Sequence, residues 1–174
     1  SSQLNIGTKF VFYVPVDNSQ KDSEGGTSLP KKVNALVVDD YDFNRDLHKL
    51  LLEREGVQVT LAQNGREAVE KYKEKGEGYF DFIFMDLNMP VMDGFTATKE
   101  IRKWETENKR KRAMIYFVSG EYFNDGEVVE VLKSSGGLQD TTDIKFLRKP
   151  IEVELVSRIV KDHKHGRRVN LANV

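Results

Sequence analysis

The sequence predicts an α/β protein built on one parallel sheet of five strands, with helices on both faces. From Val33 onward, short apolar runs of strand length alternate five times with amphipathic helical segments, and the links between them are short. Strands and helices alternating in this way build parallel sheets buried on both sides. Right-handed crossovers then leave 2-1-3-4-5 as the natural strand order. A further observation is chemical. The run Phe80-Asp81-Phe82-Ile83-Phe84-Met85 ends abruptly in Asp86, and Pro90 breaks the structure soon after. A short aromatic run closed by a breaker reads as a buried central strand.

The elements follow in order. Val33 to Val38 is the first strand, ending in Asp39-Asp40. A helix follows with Phe43, Leu47, Leu50 and Leu51 at helical spacing and Gly56 as its stop. Val57 to Leu61 is the second strand. Asn64 to Lys75 is the second helix, burying Ala68, Val69 and Tyr72. The Asp86 run is the third strand. Asp93-Gly94 opens a third helix to about Glu107, with Phe95, Thr98, Ile101 and Trp104 turned inward. Lys109 to Arg112 is a basic, solvated loop, and Ala113 to Val118 is the fourth strand, ending at Ser119. Asp125 caps a fourth helix that buries Val128, Val129 and Leu132. Ser134 to Asp143 is a polar loop. Ile144 to Leu147 is the fifth strand, ending in Arg148-Lys149-Pro150, and Ile151 to about His163 is the last helix.

Composition narrows the function. At 174 residues, the chain suits one ordinary domain with extra sequence at its ends. A net charge of −1 argues against nucleic acid or a membrane surface as partner. With no cysteine, disulfides and thiolate metal sites are excluded, which fits a reducing, cytoplasmic interior. No apolar run approaches the roughly 18–20 residues of a membrane span. Ser1-Ser2-Gln3 lacks the features of a signal peptide, and the missing initiator Met predicts an excised fragment or a cleaved tag.

Residues 9–14, Lys9-Phe10-Val11-Phe12-Tyr13-Val14, form a strand-like run stopped by Pro15. The stretch from Asp17 to Pro30, with Gly25-Gly26 at its centre, has the composition of a flexible linker. An orphan strand of this kind could add to a sheet edge or pair with its own copy, giving a dimer.

The chemistry gathers at the strand ends. In a parallel sheet all carboxyl ends share one edge, so Asp39, Asp40, Asp86, Ser119 and Lys149 converge although far apart in sequence. Taken singly, each acid reads as a turn or cap, and Lys149 as a solvated lysine. Together they read as a site. Clustered carboxylates raise one another's pKa unless a cation joins them. A hard divalent ion, Mg²⁺ or Mn²⁺, is the economical partner. The charges then suggest in-line attack of Asp86 on a phosphoryl group, with Lys149 and the Ser119 hydroxyl taking phosphoryl oxygens. The product would be an aspartyl phosphate.

Asp39-Asp40, the run Leu87-Asn88-Met89-Pro90-Val91-Met92-Asp93-Gly94 after Asp86, Val118-Ser119 and Lys149-Pro150 together resemble a response-regulator receiver domain (CheY-like) over about residues 32–163. The resemblance implies a flavodoxin-like (βα)5 three-layer sandwich. It also implies Asp86 as phosphoacceptor, Asp40 and Asp86 as direct metal ligands, Asp39 acting through water, and the Asn88 backbone carbonyl as a further ligand. Ser119 and Lys149 would contact the phosphoryl group, with a cis bond before Pro150. Ser119 and Phe146 would form the conformational switch. Phe146 has no hydroxyl, so its part rests on packing. The stretch from Gly136 to Asp143 is longer than the family's usual turn. Asn88 and Glu121 would flank the attacking water and imply a phosphoryl lifetime of minutes or less.

Residues 7–16 resemble the last strand of a histidine kinase's ATP-binding domain. The implied layout is a kinase remnant over 1–16, a linker over 17–31, a receiver over 32–165 and a tail over 166–174. The parent would be a hybrid histidine kinase, itself membrane-attached or not, and this piece a self-phosphorylating phosphoacceptor without turnover. The implied partners are a histidine kinase phosphodonor domain and a histidine-phosphotransfer protein. Too few residues follow Gly166 for a DNA-binding output domain. His48 reads as a surface helix residue, and His163 and His165 as a solvated tail. Two rivals remain. A dehalogenase-type phosphohydrolase needs an acid two residues after its nucleophile, where this chain has Asn88. A degenerate receiver would act only as an interaction module. A nucleotide-binding module would need a glycine-rich loop where Asp39-Asp40-Tyr41-Asp42 stands.

Overall fold

The computed structural model describes residues 32–76, 78–120, 130, 133 and 140–167. The expected strand at 9–14, the linker, Glu121, the helix from Asp125 with Val128, Val129 and Leu132, and most of the tail lie outside the described residues. Nine elements are described: β1 (Val33–Val38), α1 (Asp42–Arg54), β2 (Val57–Ala62), α2 (Gly65–Lys75), β3 (Phe82–Asp86), α3 (Gly94–Glu107), β4 (Met114–Ser119), β5 (Ile144–Arg148) and α4 (Val153–Lys164). All four strand pairs are parallel, and the order is β2-β1-β3-β4-β5. The fold class and topology predicted from sequence are the ones observed.

Alternation along the strands divides the core in two. On one face, Ile83 and Met85 of β3 join Ala68, Val69 and Tyr72 of α2 and Ala97 and Ile101 of α3. On the other, Phe82 and Phe84 meet Leu51 and Leu52 of α1 and Leu155, Val156, Ile159 and Val160 of α4. Every residue of β3 is buried, as a central parallel strand requires. Local signals set the helix starts. Asn64 accepts the Glu67 N–H at 3.0 Å while the Glu67 carboxylate accepts the Gln63 N–H at 2.9 Å, a reciprocal cap. Asp93 caps α3 by accepting the Thr96 N–H at 2.8 Å.

Three sequence expectations change. Phe43 and Leu50 of α1 are 65% and 50% exposed, and the buried residues are His48, Leu51 and Leu52. At 100° per residue, positions 43 and 50 lie about 140° around the helix from the buried ones, with Leu47, packed against the core, between them. The period was right for a helix, but it belongs to a second, outward face. His48 is therefore a core residue. His163 is not part of a solvated tail either. Its Nε2 lies 3.2 Å from Oδ1 of buried Asp81, and its ring packs edge-on against Phe82 at 4.6 Å.

α3 also carries a buried ion pair, Arg102–Glu105, with side chains 2% and 1% exposed. Arg102 Nη1 donates to both Glu105 oxygens at 2.8 and 3.1 Å, and Nη2 donates to the Ala113 carbonyl at 2.8 Å. Glu105 accepts the Tyr72 hydroxyl at 2.6 Å and the Ala113 N–H at 3.2 Å. Burial, reinforced by the Glu105 bond, pushes the Tyr72 phenol well above its usual pKa. The network ties α2 and α3 to the chain entering β4. Glu105→Ala would leave a guanidinium buried without its partner and should cost about 3–5 kcal/mol in urea unfolding, whereas replacing both residues by Met should recover most of that loss.

Candidate functional site

Strand register assembles the site. Val38 pairs with Met85, so Asp39 comes level with Asp86. Asp86 pairs with Val118, which sets Ser119 one step beyond it, and Ser119 pairs with Arg148, which delivers Lys149. The main-chain N–H of Lys149 donates to the Ser119 carbonyl at 2.8 Å, and the Lys149–Pro150 bond is cis.

At that edge, the Lys149 ammonium donates to Asp39 Oδ2 at 2.7 Å and to Asp86 Oδ2 at 2.8 Å. Asp39, Asp40 and Asp86 each offer a carboxylate oxygen within 4.8 Å of the others. Asp39 and Asp86 are buried, and Asp40 is exposed. Three carboxylates face one ammonium. Burial raises the Asp86 carboxyl above its ordinary value, Lys149 opposes this, and Asp39 adds to it; the Asn88 N–H also bonds the carboxylate. Burial pulls the Lys149 ammonium down, but its bonds to Asp39 and Asp86 outweigh that and hold it above the usual lysine value.

The loop after Asp86 is held by close packing. A Cβ on Gly94 would stand 2.2 Å from the Asp86 carbonyl oxygen and 3.0 Å from Met85 Cγ. The Gly94 N–H donates to the Leu87 carbonyl at 3.0 Å. Gly65 sits as tightly against Met92, with a Cβ position 2.6 Å from that residue's carbonyl oxygen. Between them, the Met92 N–H donates to the Pro90 carbonyl at 2.8 Å, closing a tight turn around Val91 at φ +71°. That is a strained region for a β-branched residue, and the Val91 side chain is 72% exposed.

Ser119 is buried beside the acids. Phe146 is half-buried and stacks on Phe117 with centroids 5.2 Å apart, and Phe95 of α3 packs on the same ring at 5.2 Å. Asn88 is exposed at the rim. Asp39, Asp40, Asp86, Asn88, Ser119 and Lys149 are thus brought to one edge, with Phe146 inside the flanking aromatic stack.

The sequence matches the response regulator receiver domain over residues 35–161. The chain belongs to the receiver family.

Among this receiver's relatives, two-component response regulator 24 of Arabidopsis thaliana is 35% identical over 131 residues, covering 74% of this chain and 82% of that protein. Hybrid signal transduction histidine kinase A of Dictyostelium discoideum is 35% identical over 140 residues. That span is 79% of this chain but 6% of the kinase. The solved structure of Vibrio cholerae chemotaxis protein CheY4 is 26% identical, with a TM-score of 0.59 and coverage of 75% of this chain and 98% of that one. A chain in the co-crystal structure of the Saccharomyces cerevisiae histidine phosphotransfer signaling protein Ypd1 with the receiver domain of Ssk1 gives 26% identity and a TM-score of 0.60, covering 83% of this chain and 97% of that one. Among the described residues, no helix is long and apolar enough to cross a membrane.

Receivers generally bind Mg²⁺, and this acidic cluster is compatible with that: it supplies only oxygen donors, carries an excess of negative charge, and leaves Asp40 exposed. Sequence reasoning missed the side chains behind it. Asn44 donates to both Asp39 oxygens at 3.1 Å, and Arg45 Nη1 donates to the Asp39 carbonyl at 2.6 Å. Buried His48 lies one turn further along the same face. Burial holds its imidazole below the usual pKa against the pull of Asp39, with Lys149 acting in the same direction as burial. The sequence carries no signal for Asn44 beyond its place five residues after Asp39, in the first turn of α1. In the receiver's loop two substitutions should act with opposite sign in thermal or urea unfolding. Gly94→Ala should destabilise by about 1–3 kcal/mol through overpacking, and Val91→Gly should stabilise by up to about 1 kcal/mol by relieving left-handed strain.

Proposed function

We propose that this receiver takes a phosphoryl group from a phosphohistidine onto Asp86, holds it for a limited time, and passes it on or hydrolyses it. The observation that carries this reading is the Lys149 ammonium bonded to both Asp39 and Asp86, with Asp40 alongside. An Asp86 carboxylate oxygen attacks phosphorus, the P–N bond breaks, and the released imidazole nitrogen takes a proton. Lys149 already sits at the attacking carboxylate, so its charge meets the phosphoryl oxygens without reorganisation. Ser119, buried at the same edge, offers its hydroxyl to those oxygens, and with half-buried Phe146 forms the switch. A divalent cation, Mg²⁺ or Mn²⁺, would be held by Asp40, Asp86 and the Asn88 carbonyl, with Asp39 acting through water. When bound, it supplies countercharge for the phosphoryl oxygens. Asn88 and Glu121 set the lifetime at minutes or less.

Asn88 stands where a dehalogenase-type hydrolase would need its acid, which favours the receiver chemistry over turnover. The deciding measurement is intact mass after incubation with Mg²⁺ and a small acyl phosphate. One phosphoryl adduct per chain is expected, lost in Asp86→Asn. Turnover of many phosphoesters would favour the hydrolase, and neither result would leave an interaction module.

The partner follows from exposed apolar residues that flank the site or lie further along the outward face of α1. Tyr41, Phe43, Leu50 and Val91 are 63%, 65%, 50% and 72% exposed, on a receiver whose structural neighbour was solved with a histidine phosphotransfer protein. We assign this patch to a cytoplasmic histidine-phosphotransfer protein or a kinase's phosphodonor domain. Phe43→Ser and Leu50→Ser should each weaken docking by roughly tenfold or more, slowing transfer from a phosphohistidine carrier but not from a small acyl phosphate. Residues 1–16 are assigned to a kinase's ATP-binding domain, 17–31 to a linker and 166–174 to a tail of a hybrid kinase, with the strand at 9–14 as a dimer contact.

A further inference from the structure

Asp39 carries an unusual load for a buried side chain. It is 1% exposed, in a cluster with two more carboxylates. Its Oδ1 accepts the Tyr41 N–H at 2.9 Å and the Asn44 amide at 3.1 Å. Its Oδ2 accepts the same Asn44 amide at 3.1 Å and the Lys149 ammonium at 2.7 Å. Three protein donors thus bond the two oxygens, which leaves about one of a carboxylate's roughly four acceptor sites, enough for a water but not for direct ligation. The Asn44 nitrogen straddles the two oxygens and thereby fixes the plane of the carboxylate. That plane decides where Oδ2 points, and so where the ammonium shared with Asp86 stands.

Asn44 is itself held firmly. It lies in the first turn of α1, where its N–H donates to the Tyr41 carbonyl at 3.1 Å. The neighbouring Arg45 anchors the Asp39 carbonyl at 2.6 Å. An amide is the side chain that fits here. It is neutral and donates, whereas a carboxylate would add a fourth negative group and an aliphatic side chain would leave Asp39 short of a donor.

We infer that Asn44 is a positioning residue of the phosphoacceptor site, occupying the Asp39 oxygens so that Asp39 serves a bound cation from behind water rather than as a direct ligand. The inference rests on the cation-assisted phosphoacceptor reading above. It has a consequence for ion choice. Mg²⁺ keeps several waters in a strict octahedron, whereas Ca²⁺ accepts more protein oxygens in looser geometry. Freeing Asp39 should therefore penalise Mg²⁺ more than Ca²⁺.

The test is calorimetric titration of the full chain with Mg²⁺ and, separately, Ca²⁺, using wild type, Asn44→Leu and Asn44→Ala. Removing a side chain that orients a metal-site residue commonly costs 10–100-fold in affinity. Both variants should bind Mg²⁺ about tenfold more weakly, with Ca²⁺ binding unchanged or tighter. Mg²⁺ affinity within twofold of wild type, or equal losses for both ions, would overturn the inference while leaving the phosphoacceptor reading intact. A wild-type chain that binds no Mg²⁺ would overturn both. Should neither variant fold, the side-chain amide NMR signals of Asn44 in the wild type decide: a shift on Mg²⁺ addition supports the role, and no shift refutes it.

Discussion

The structure turns on one ammonium group shared between two carboxylates. Lys149 arrives from the end of the fifth strand and lies within 2.8 Å of both Asp39 and Asp86. Without it, three acids would crowd one sheet edge with nothing to offset their repulsion. With it, the cluster still carries more negative than positive charge. That residual imbalance attracts a dication, whereas an incoming phosphoryl group is met by the donor that Lys149 presents.

The sheet explains how such an arrangement is held. The contributing strands are parallel neighbours in consecutive register, so each delivers its terminal residues to the same edge, within a step or two of Asp86. Below that edge the strands are sealed between two apolar clusters, and close-packed interiors resist small displacements. Above it the chain is loop, where Gly65 and Gly94 let backbone approach backbone more closely than a side chain would allow. Rigid floor and tightly folded rim together keep the acids from drifting apart. The strain at Val91 belongs to this rim and is the local cost of bending the loop away from Asp86.

Much of this was legible in the sequence because strands that end in acids leave a sharp boundary between apolar and charged residues. Asp39, Asp40, Asp86, Ser119 and Lys149 could be placed on one edge from topology alone. What was hidden shares a different character. Helical period shows that α1 is a helix but cannot choose between two apolar stripes, so spacing alone could not turn Phe43 and Leu50 outward or His48 inward. Arg102 and Glu105, three residues apart, have the spacing of a solvated surface pair, and only the path of the chain into β4 covers them. Asn44 in a first helical turn looks like any polar residue near a helix start. Its meaning depends on where the Asp39 carboxylate points, which is a tertiary fact.

The two charged clusters in this fold separate by a simple criterion. Arg102 and Glu105 balance one to one, are closed to water, and spend their hydrogen bonds on a tyrosine and on main chain. Such a cluster is charge-balanced and sealed, and although Arg102 Nε has no hydrogen-bond partner, it is closed to any ligand from solvent. Around Asp86 the acids outnumber the ammonium, Asp40 remains open to solvent, and the Asp86 carboxyl is held above its ordinary value by burial. A charge deficit of that kind, reachable from outside and braced from behind by Asn44 and Arg45, costs stability that a purely structural staple would not cost. That contrast is the physical argument for proposing the chemistry at this edge and not at the buried pair on α3.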